Sequence, residues 1–167
     1  MAIEIERKFL VTGTSWREEA RLQASVLQAS ELQGPGRLLR QGYLSQAGST
    51  TVRVRVDDSC GFLTVKGPSE GLRRAEFEYE IPLADALELL KLCHGALIEK
   101  LRYRVLLDGS CWEIDEFLGE NAGLIVAEIE LPAEDASFSR PAWLGSEVSD
   151  DPRYRNSNLV RCPFRSW

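Results

Sequence analysis

The stretch Ile3-Glu4-Ile5-Glu6-Arg7-Lys8-Phe9-Leu10-Val11 decides the fold. Successive side chains of a strand point to opposite faces, so an extended chain places Glu4, Glu6 and Lys8 on one face and most of the apolar residues on the other. The two neighbouring carboxylates repel each other, and a divalent cation would compensate that repulsion. The lysine two residues further on could hold an anion beside the cation. For one strand alone, a polar face in contact with water is the simpler interpretation.

The arrangement recurs along the chain. Residues 3–11 are followed by further segments with period-two alternation, which predict strands at 38–45, 50–57, 62–66, 73–81, 98–107, 111–117 and 125–131. Helical patterns are predicted from Ser15 to the Gly34-Pro35-Gly36 stretch, at 83–93 and at 156–161, the last with Asn156 or Ser157 as its cap. The chain between Pro132 and Pro152 is expected to be irregular.

The charges on these strands are mostly sorted by sign. The basic members are Arg53 and Arg55, then Lys66, then Lys100, Arg102 and Arg104, whereas the acidic members are Glu76 and Glu78, Glu113 and Asp115, and Glu128 and Glu130. A sheet whose outer face is merely wet would mix both signs with neutral polar residues. If the sheet closes with these faces inward, it encloses a tunnel lined by opposed acids and bases. Such a tunnel would suit a polyanion bridged to divalent metal ions.

Length and composition predict a single domain over residues 1–167, because 167 residues with 44% hydrophobic content can bury one core. The net charge of −6 argues against a broad nucleic-acid surface. No apolar run approaches the roughly 18 residues of a membrane span, and the charged beginning does not resemble a signal peptide. The expectation is therefore a cytoplasmic protein that binds neither nucleic acid nor a membrane.

Several other site types are excluded or disfavoured. The four cysteines, Cys60, Cys93, Cys111 and Cys162, are too widely and irregularly spaced for a zinc site or a disulfide framework, which favours reduced thiols. His94 is the only histidine, so a histidine-rich metal site is excluded and a histidine-dependent hydrolase is disfavoured. Neither a dinucleotide-binding fingerprint nor a P-loop motif is present.

Seven motifs, in this order, resemble the CYTH domain of the triphosphate tunnel metalloenzymes. They are Glu4-x-Glu6-x-Lys8, Val52-Arg53-Val54-Arg55, Thr64-Val65-Lys66, Glu76-x-Glu78, Glu99-Lys100-x-Arg102, Glu113-x-Asp115 and Glu128-x-Glu130. The resemblance covers nearly the whole chain. The beginning of the chain, the Gln41-Gly42-Tyr43-Leu44 stretch and the stretch from Arg153 to Leu159 are similar to the short bacterial members of inorganic triphosphatase type.

The resemblance implies an α+β, mainly β fold, in which an eight-stranded antiparallel closed barrel forms a triphosphate tunnel with covering helices. It implies hydrolysis of a triphosphate phosphoanhydride bond that requires Mg²⁺ or Mn²⁺. The expected substrate is inorganic tripolyphosphate, cleaved to pyrophosphate and phosphate, with ATP and thiamine triphosphate as the other candidates. A homodimer is left open.

The resemblance also implies roles for individual residues. The metal ligands would be Glu4, Glu6, Asp115, Glu128 and Glu130, and the phosphates would be held by Lys8, Arg53, Arg55, Lys66, Lys100 and Arg102. Glu4 and Glu6, together with the lysines Lys8, Lys66 and Lys100, form the expected catalytic set. Glu76, Glu78 and Glu113 are further candidates, and Tyr43 could pair with Lys66 as a proton acceptor. This division suits the chemistry, because Mg²⁺ prefers oxygen ligands and arginine forks match phosphates.

Three alternatives to a tripolyphosphatase remain open from the sequence. They are a thiamine triphosphatase, a class IV adenylate cyclase and a non-catalytic polyphosphate-binding module. A module that only binds would not need the metal-ligating acids, and their retention counts against it.

Overall fold

The computed structural model describes residues 2–27, 36–46 and 48–167. The strands in these ranges are β1 (Ala2–Val11), β2 (Arg37–Ser45), β3 (Thr51–Asp57), β4 (Cys60–Glu70), β5 (Arg73–Ile81), β6 (His94–Leu107), β7 (Ser110–Phe117), β8 (Ile125–Glu130) and β9 (Leu144–Glu147). The helices are α1 (Ser15–Leu27), α2 (Leu83–Lys91) and α3 (Asn156–Leu159), with short 3-10 turns at Gly119–Asn121, Pro152–Tyr154 and Phe164–Ser166. None of the described helices has the length and apolar character needed to cross a membrane.

Eight strands form a closed antiparallel barrel in the order β5-β4-β3-β2-β6-β7-β8-β1. The barrel closes because β1 pairs with strands on both sides. Ile5 and the residues before it pair with β5, and Glu6 to Leu10 pair with β8. The predicted eight-stranded, mainly β barrel is confirmed.

The ninth strand was not predicted. β9 pairs with the end of β1, with Val11 opposite Leu144, on the edge that β5 no longer occupies. Its four residues lack an alternating apolar pattern, so only this long-range pairing makes them a strand. β4 and β6 are also longer than predicted. The predicted end of the first helix, at Gly34 and Pro35, lies outside the described residues.

The outward apolar faces of β1, β6, β7 and β8 form the main core. Trp112 lies at its centre, with Phe9, Phe138 and Trp143 in edge-to-face contact at ring-centroid distances of 5.8, 5.6 and 5.6 Å. Trp16 brings α1 onto the same core. Edge-to-face packing of aromatic rings is favourable beyond the area that it buries. The main core therefore lies outside the barrel wall and leaves most of the inside to polar side chains.

The outward face of β3 is covered by α2. Val54 and Val56 pack against Ala86 and Leu90 of that helix. The helix approaches closely because β4 carries Gly61 there, where an added Cβ would lie 2.4 Å from the Cβ of Ala86. A glycine at this position allows the close approach of helix and sheet.

One end of the barrel interior is filled by an apolar cluster, which we call the apolar plug. It consists of Ile98, Phe117, Leu124, Val126 and, from α3, Leu159. The predicted C-terminal helix begins at Asn156 as expected but ends at Leu159 instead of Arg161, and Leu159 contributes to closing this end. Its predicted cap is wrong, because the capping position is Arg155 and no side chain makes a capping hydrogen bond there.

Candidate active site

The barrel encloses a polar cavity of about 310 Å³. Most of the residues predicted from the sequence line it, namely Glu4, Glu6, Lys8, Tyr43, Arg53, Arg55, Lys66, Glu76, Glu78, Arg102, Glu113 and Glu128. Glu130 borders an adjoining cavity that shares Glu4, Glu6, Glu113 and Glu128 with the first. Lys100 and Asp115 are buried in the wall beside Arg102. The structure therefore gathers all the predicted side chains in one region of the barrel.

Lys8 and Glu128 form an ion pair between β1 and β8. They are opposite each other in the strand register, and Lys8 Nζ lies 2.7 Å from Glu128 Oε1. Burial favours the neutral form of the carboxyl, but the positive charges of Lys8, Lys100 and Arg102 together outweigh it and hold the pKa of Glu128 well below its usual value. A charged pair inside a barrel is stable only while both partners remain.

The charge of Glu6 is compensated less well than that of Glu128. Its nearest cation is Lys8, at 3.7 Å, and the next carboxylate in register is Glu130. Burial and the negative charge of Glu128 together raise the pKa of Glu6 to about 7. The pKa of Glu130 is also raised, by burial and then by the charge of Glu4. Glu6 and Glu130 are therefore the carboxylates that would gain most from an added cation.

The raised pKa of Glu6 predicts pH-dependent stability of the metal-free protein. The folded chain binds more protons than the unfolded chain between about pH 4.5 and pH 7, so the free energy of unfolding should fall as the pH rises through this window. Glu6→Gln should remove the contribution of this carboxyl to the slope of the unfolding free energy against pH. Urea unfolding of both proteins at several pH values measures it, and equal slopes would contradict the assignment. Glu88→Gln, at an exposed position, serves as the control.

Lys66 connects two carboxylates from different strands. Its Nζ lies 2.8 Å from Glu4 Oε2 and 2.6 Å from Glu76 Oε2. A proton shared between the carboxyl groups of Glu4 and Glu76 would link these two acids by a hydrogen bond. Burial and this bond raise the pKa of Glu4, whereas the bond and the charge of Lys66 outweigh burial and lower the pKa of Glu76. One ammonium group thus holds two acids that repel each other.

Arg53 and Arg55 converge on one acid of β5. Their Nη2 atoms lie 3.2 and 3.0 Å from the two carboxylate oxygens of Glu78. Burial and then the charge of Arg53 lower the pKa of Arg55, which shows the crowding of positive charge on this wall. Glu78 therefore occupies the arginine donors that a phosphate would otherwise bind.

Arg102 is held by three carboxylates. It forms a bidentate pair with Asp115, through Nε–Oδ1 and Nη2–Oδ2 distances of 2.7 Å each, and it also contacts Glu113 and Glu128. Asp115 binds Lys100 as well, and both residues are almost fully buried, at 0% and 1% exposure. Burial lowers the pKa of Lys100 to about 8. This geometry favours Asp115 as the group that holds the side chains of Lys100 and Arg102 in place. Its role as a metal ligand stays a prediction.

Tyr43 lines the cavity from β2 and is buried. Burial raises the pKa of its hydroxyl, and the nearby charges of Arg53 and Lys66 partly offset that effect. No described residue forms a hydrogen bond with the hydroxyl. Its pairing with Lys66 stays a prediction.

Three further arginines that the sequence did not single out as site residues line the cavity: Arg74 of β5, Arg104 of β6 and Arg155 before α3. Arg104 was already among the basic residues expected on the inner face, although no site role was predicted for it, and Arg74 continues the alternating pattern of β5, so the pattern could have identified it as well. Arg74 Nε donates to the carbonyl of Gly67 at 2.6 Å. Arg155 lies in an irregular segment, and no sequence signal places it at the tunnel.

The carboxylates fit a divalent cation by charge but are not yet gathered around one. Among the described residues, no three histidine, cysteine or acidic side chains converge closely enough to hold a metal ion. Glu4 and Glu128 are instead held by lysines. Oxygen ligands with uncompensated charge, as at Glu6 and Glu130, are the donor set that Mg²⁺ or Mn²⁺ prefers. These residues therefore fit a hard cation once the ion pairs exchange partners.

Comparison with known proteins agrees with this geometry. A family model described as CYTH domain matches residues 2–158. An inorganic triphosphatase of Acetivibrio thermocellus is 49% identical, and the alignment covers 100% of this chain and 99% of that protein. An inorganic triphosphatase of Nitrosomonas europaea is 37% identical, with 94% of this chain and 96% of that protein covered.

Solved structures show the same fold. The crystal structure of an inorganic triphosphatase superposes with a TM-score of 0.62 at 33% identity, covering 96% of this chain and 95% of that one. A putative adenylate cyclase from Bacillus halodurans has a TM-score of 0.53 at 20% identity, covering 80% and 84%, and shows likeness of fold alone. The family model matches nearly the whole chain, and the charged motifs of this chain meet in one tunnel. The chain therefore belongs to the CYTH domain family.

Proposed function

We propose that this protein hydrolyses the terminal phosphoanhydride bond of inorganic tripolyphosphate, with Mg²⁺ or Mn²⁺, to give pyrophosphate and phosphate. The observation that carries the proposal is the closed tunnel in which Lys8, Lys66 and Arg102 face carboxylates across one cavity. Such a cavity matches a polyanion that brings its own metal ion. The two relatives named as inorganic triphosphatases support the same reaction.

Substrate binding would exchange ion-pair partners. Arg53 and Arg55 would leave Glu78 for phosphate oxygens, and Lys8 and Lys66 would turn from Glu128 and Glu4 to the polyphosphate. Arginine forks and ammonium groups form strong hydrogen bonds to phosphate. The carboxylates that they release would then be free to bind a cation.

The hydrolytic step needs a positioned water and stabilisation of charge. Glu4, Glu6, Glu128 and Glu130 would hold the metal ion, which supplies charge neutralisation at the phosphoryl oxygens. Glu4 and Glu6 would also orient the water that attacks the terminal phosphorus in line. The bond from that phosphorus to the bridging oxygen breaks, and pyrophosphate leaves with the bridging oxygen. One of these two carboxylates would accept the proton of that water, and Tyr43 paired with Lys66 would be the alternative acceptor.

Tripolyphosphate is the favoured substrate because the cavity is lined mainly by charged groups. Of its aromatic lining residues, Tyr43 is buried, and Tyr154 packs edge-to-face on Trp167 at 5.1 Å. A base or thiazolium ring would need dedicated hydrogen-bond partners or a free stacking surface. Cyclisation of ATP would further require the ribose hydroxyl to be held in line with the α-phosphorus.

We expect a higher kcat/KM for tripolyphosphate than for ATP or thiamine triphosphate, and no accumulation of cyclic AMP. The three substrates should be compared with Mg²⁺ and with Mn²⁺, while phosphate, pyrophosphate and cyclic AMP are measured together. A larger kcat/KM for ATP or thiamine triphosphate, or cyclic AMP as a major product, would contradict the proposal. Binding of tripolyphosphate without turnover would identify the non-catalytic module instead.

A cytoplasmic location is part of the proposal. The four cysteines are free thiols in the structure, and Cys60 and Cys93 are partly buried. Unpaired cysteines are typical of reducing compartments. The proposal leaves a homodimer open and involves neither a membrane nor nucleic acid.

A further inference from the structure

Gln41 is a buried amide without a hydrogen-bond partner. Its side chain is 0% exposed, and within the described part of the chain neither Nε2 nor Oε1 has a partner. Buried polar side chains nearly always have a partner, because leaving one unpaired is unfavourable. An amide with both atoms unpaired therefore indicates a group that is missing from the resting protein.

The strand register places Gln41 on the inner face of the barrel. Gly42, the next residue, faces outward, where an added Cβ would lie 2.7 Å from Cys93. Gln41 is opposite Arg55 of β3 and opposite Ile98 of β6. Arg55 lines the cavity, and Ile98 belongs to the apolar plug. Gln41 thus lies at the floor of the tunnel, between the basic wall and the plug.

The same wall carries two more unpaired donors. The Nε atoms of Arg53 and Arg55 are buried and have no partner among the residues that the structure describes, although the Nη2 atoms of both side chains bind Glu78. With Gln41 Nε2, this makes three donor nitrogen atoms without acceptors on two adjacent strands. A phosphoryl group offers three strong acceptor oxygens. This wall therefore offers a phosphoryl group hydrogen-bond donors beyond the arginine Nη2 atoms that bind Glu78 in the ligand-free protein.

We propose that Gln41 contacts the terminal phosphoryl group of the triphosphate that lies nearest the apolar plug, an inference that rests on the proposed function. When Arg55 turns from Glu78 to the substrate, the amide becomes accessible, and Nε2 donates to a phosphoryl oxygen. Lys100, on the adjacent strand β6, is a candidate donor to Oε1. A neutral amide adds a hydrogen bond without adding to the positive charge already crowded on this wall. Gln41 would thereby recognise the end of the polyphosphate chain.

Gln41→Leu tests this contact, because leucine removes both amide atoms and keeps much of the volume. We expect kcat/KM for tripolyphosphate to fall about tenfold or more, the loss typical of a hydrogen bond to a charged group. The Tm of the ligand-free protein should stay the same or rise, because an unpaired buried amide has been removed. The increase in Tm caused by tripolyphosphate in EDTA, where no turnover is expected, should become smaller.

Gln23→Leu is the matched control. Gln23 of α1 has a paired amide that bonds the backbone N–H and carbonyl of Leu106 at 2.7 and 2.8 Å. This substitution should lower Tm and leave kcat/KM unchanged. The proposal is wrong if Gln41→Leu, like the control, lowers Tm and leaves kcat/KM unchanged. It is also wrong if Gln41→Leu has the kinetics and the tripolyphosphate-induced Tm increase of the wild type. If it does not fold, Gln41→Met takes its place in the same measurements.

The two proposals fail separately. A wild-type protein that does not hydrolyse tripolyphosphate would refute the proposed function, whereas the Tm increase in EDTA would still decide whether Gln41 contacts the polyphosphate. A wild-type protein that hydrolyses tripolyphosphate, with Gln41→Leu equally active, would refute only the role of Gln41.

Discussion

Glu4→Gln and Glu6→Gln should each lower the turnover of tripolyphosphate by at least about two orders of magnitude, and EDTA should abolish it in the wild type. Both side chains line the tunnel from the same face of β1. Glutamine keeps the size of each side chain but removes the negative charge that would bind the cation. The pKa of Glu6 is raised by burial and by Glu128, so an added cation would relieve a repulsion that is already present.

The folded state of these variants should be intact. Removing the uncompensated acid Glu6 should even stabilise the metal-free protein near pH 7 and above, where the wild-type carboxyl is forced to ionise. Steady-state kinetics with Mg²⁺ or Mn²⁺ and thermal unfolding would be measured on the same samples. Glu88→Gln on α2 is the control, since Glu88 is exposed and pairs with Lys91 at the surface. Undiminished wild-type turnover in EDTA would show that no metal ion takes part.

Much of the barrel could be predicted from alternation alone. Each strand of a closed barrel has one inward and one outward face, so strands such as β1, with acids at every second position, reveal which residues face the tunnel. β9 could not be predicted, because its four residues become a strand only by pairing with the end of β1. The length of β4 was underestimated because Gly67 and Pro68 interrupt the apolar pattern, although the strand continues to Glu70.

The identities of the site residues could be predicted, but their partners could not. Alternation shows that Lys66 and Glu4 face inward, whereas their ion pair depends on how β1 and β4 meet across the barrel. The alternating pattern also does not show how deeply a side chain is buried. Asp115 occupies the same face of its strand as Glu113, but it is fully buried. Gln41 was noted only as part of a stretch that resembles the short bacterial members, because a single glutamine in a strand does not reveal that its amide lacks a partner.

Asp115→Asn should lower the free energy of unfolding by about 3–5 kcal/mol, whereas Glu6→Gln and Gln41→Leu are expected to keep or raise the stability of the ligand-free protein. Asp115 is the carboxylate shared by Lys100 and Arg102, and it accepts hydrogen bonds from both. Its charge keeps two buried cations in place, and its pKa is lowered because these cations outweigh the effect of burial. Without that charge, the Lys100 ammonium stays buried with no opposite charge in contact among the described residues. An unpaired buried charge is less favourable than apolar side chains in place of the whole pair.

Lys100→Met should be much less destabilising, because Asp115 keeps its bidentate pair with Arg102 at two distances of 2.7 Å. The double substitution Lys100→Met with Asp115→Asn should recover part of the stability lost in Asp115→Asn, since the uncompensated ammonium is then gone. Urea unfolding near pH 7 gives the three free energies, and Asp135→Asn, at an exposed position, is the control. If Asp115→Asn unfolds at the same urea concentration as the wild type, or if Lys100→Met is equally destabilising, then Asp115 does not act as the shared anchor of these two cations.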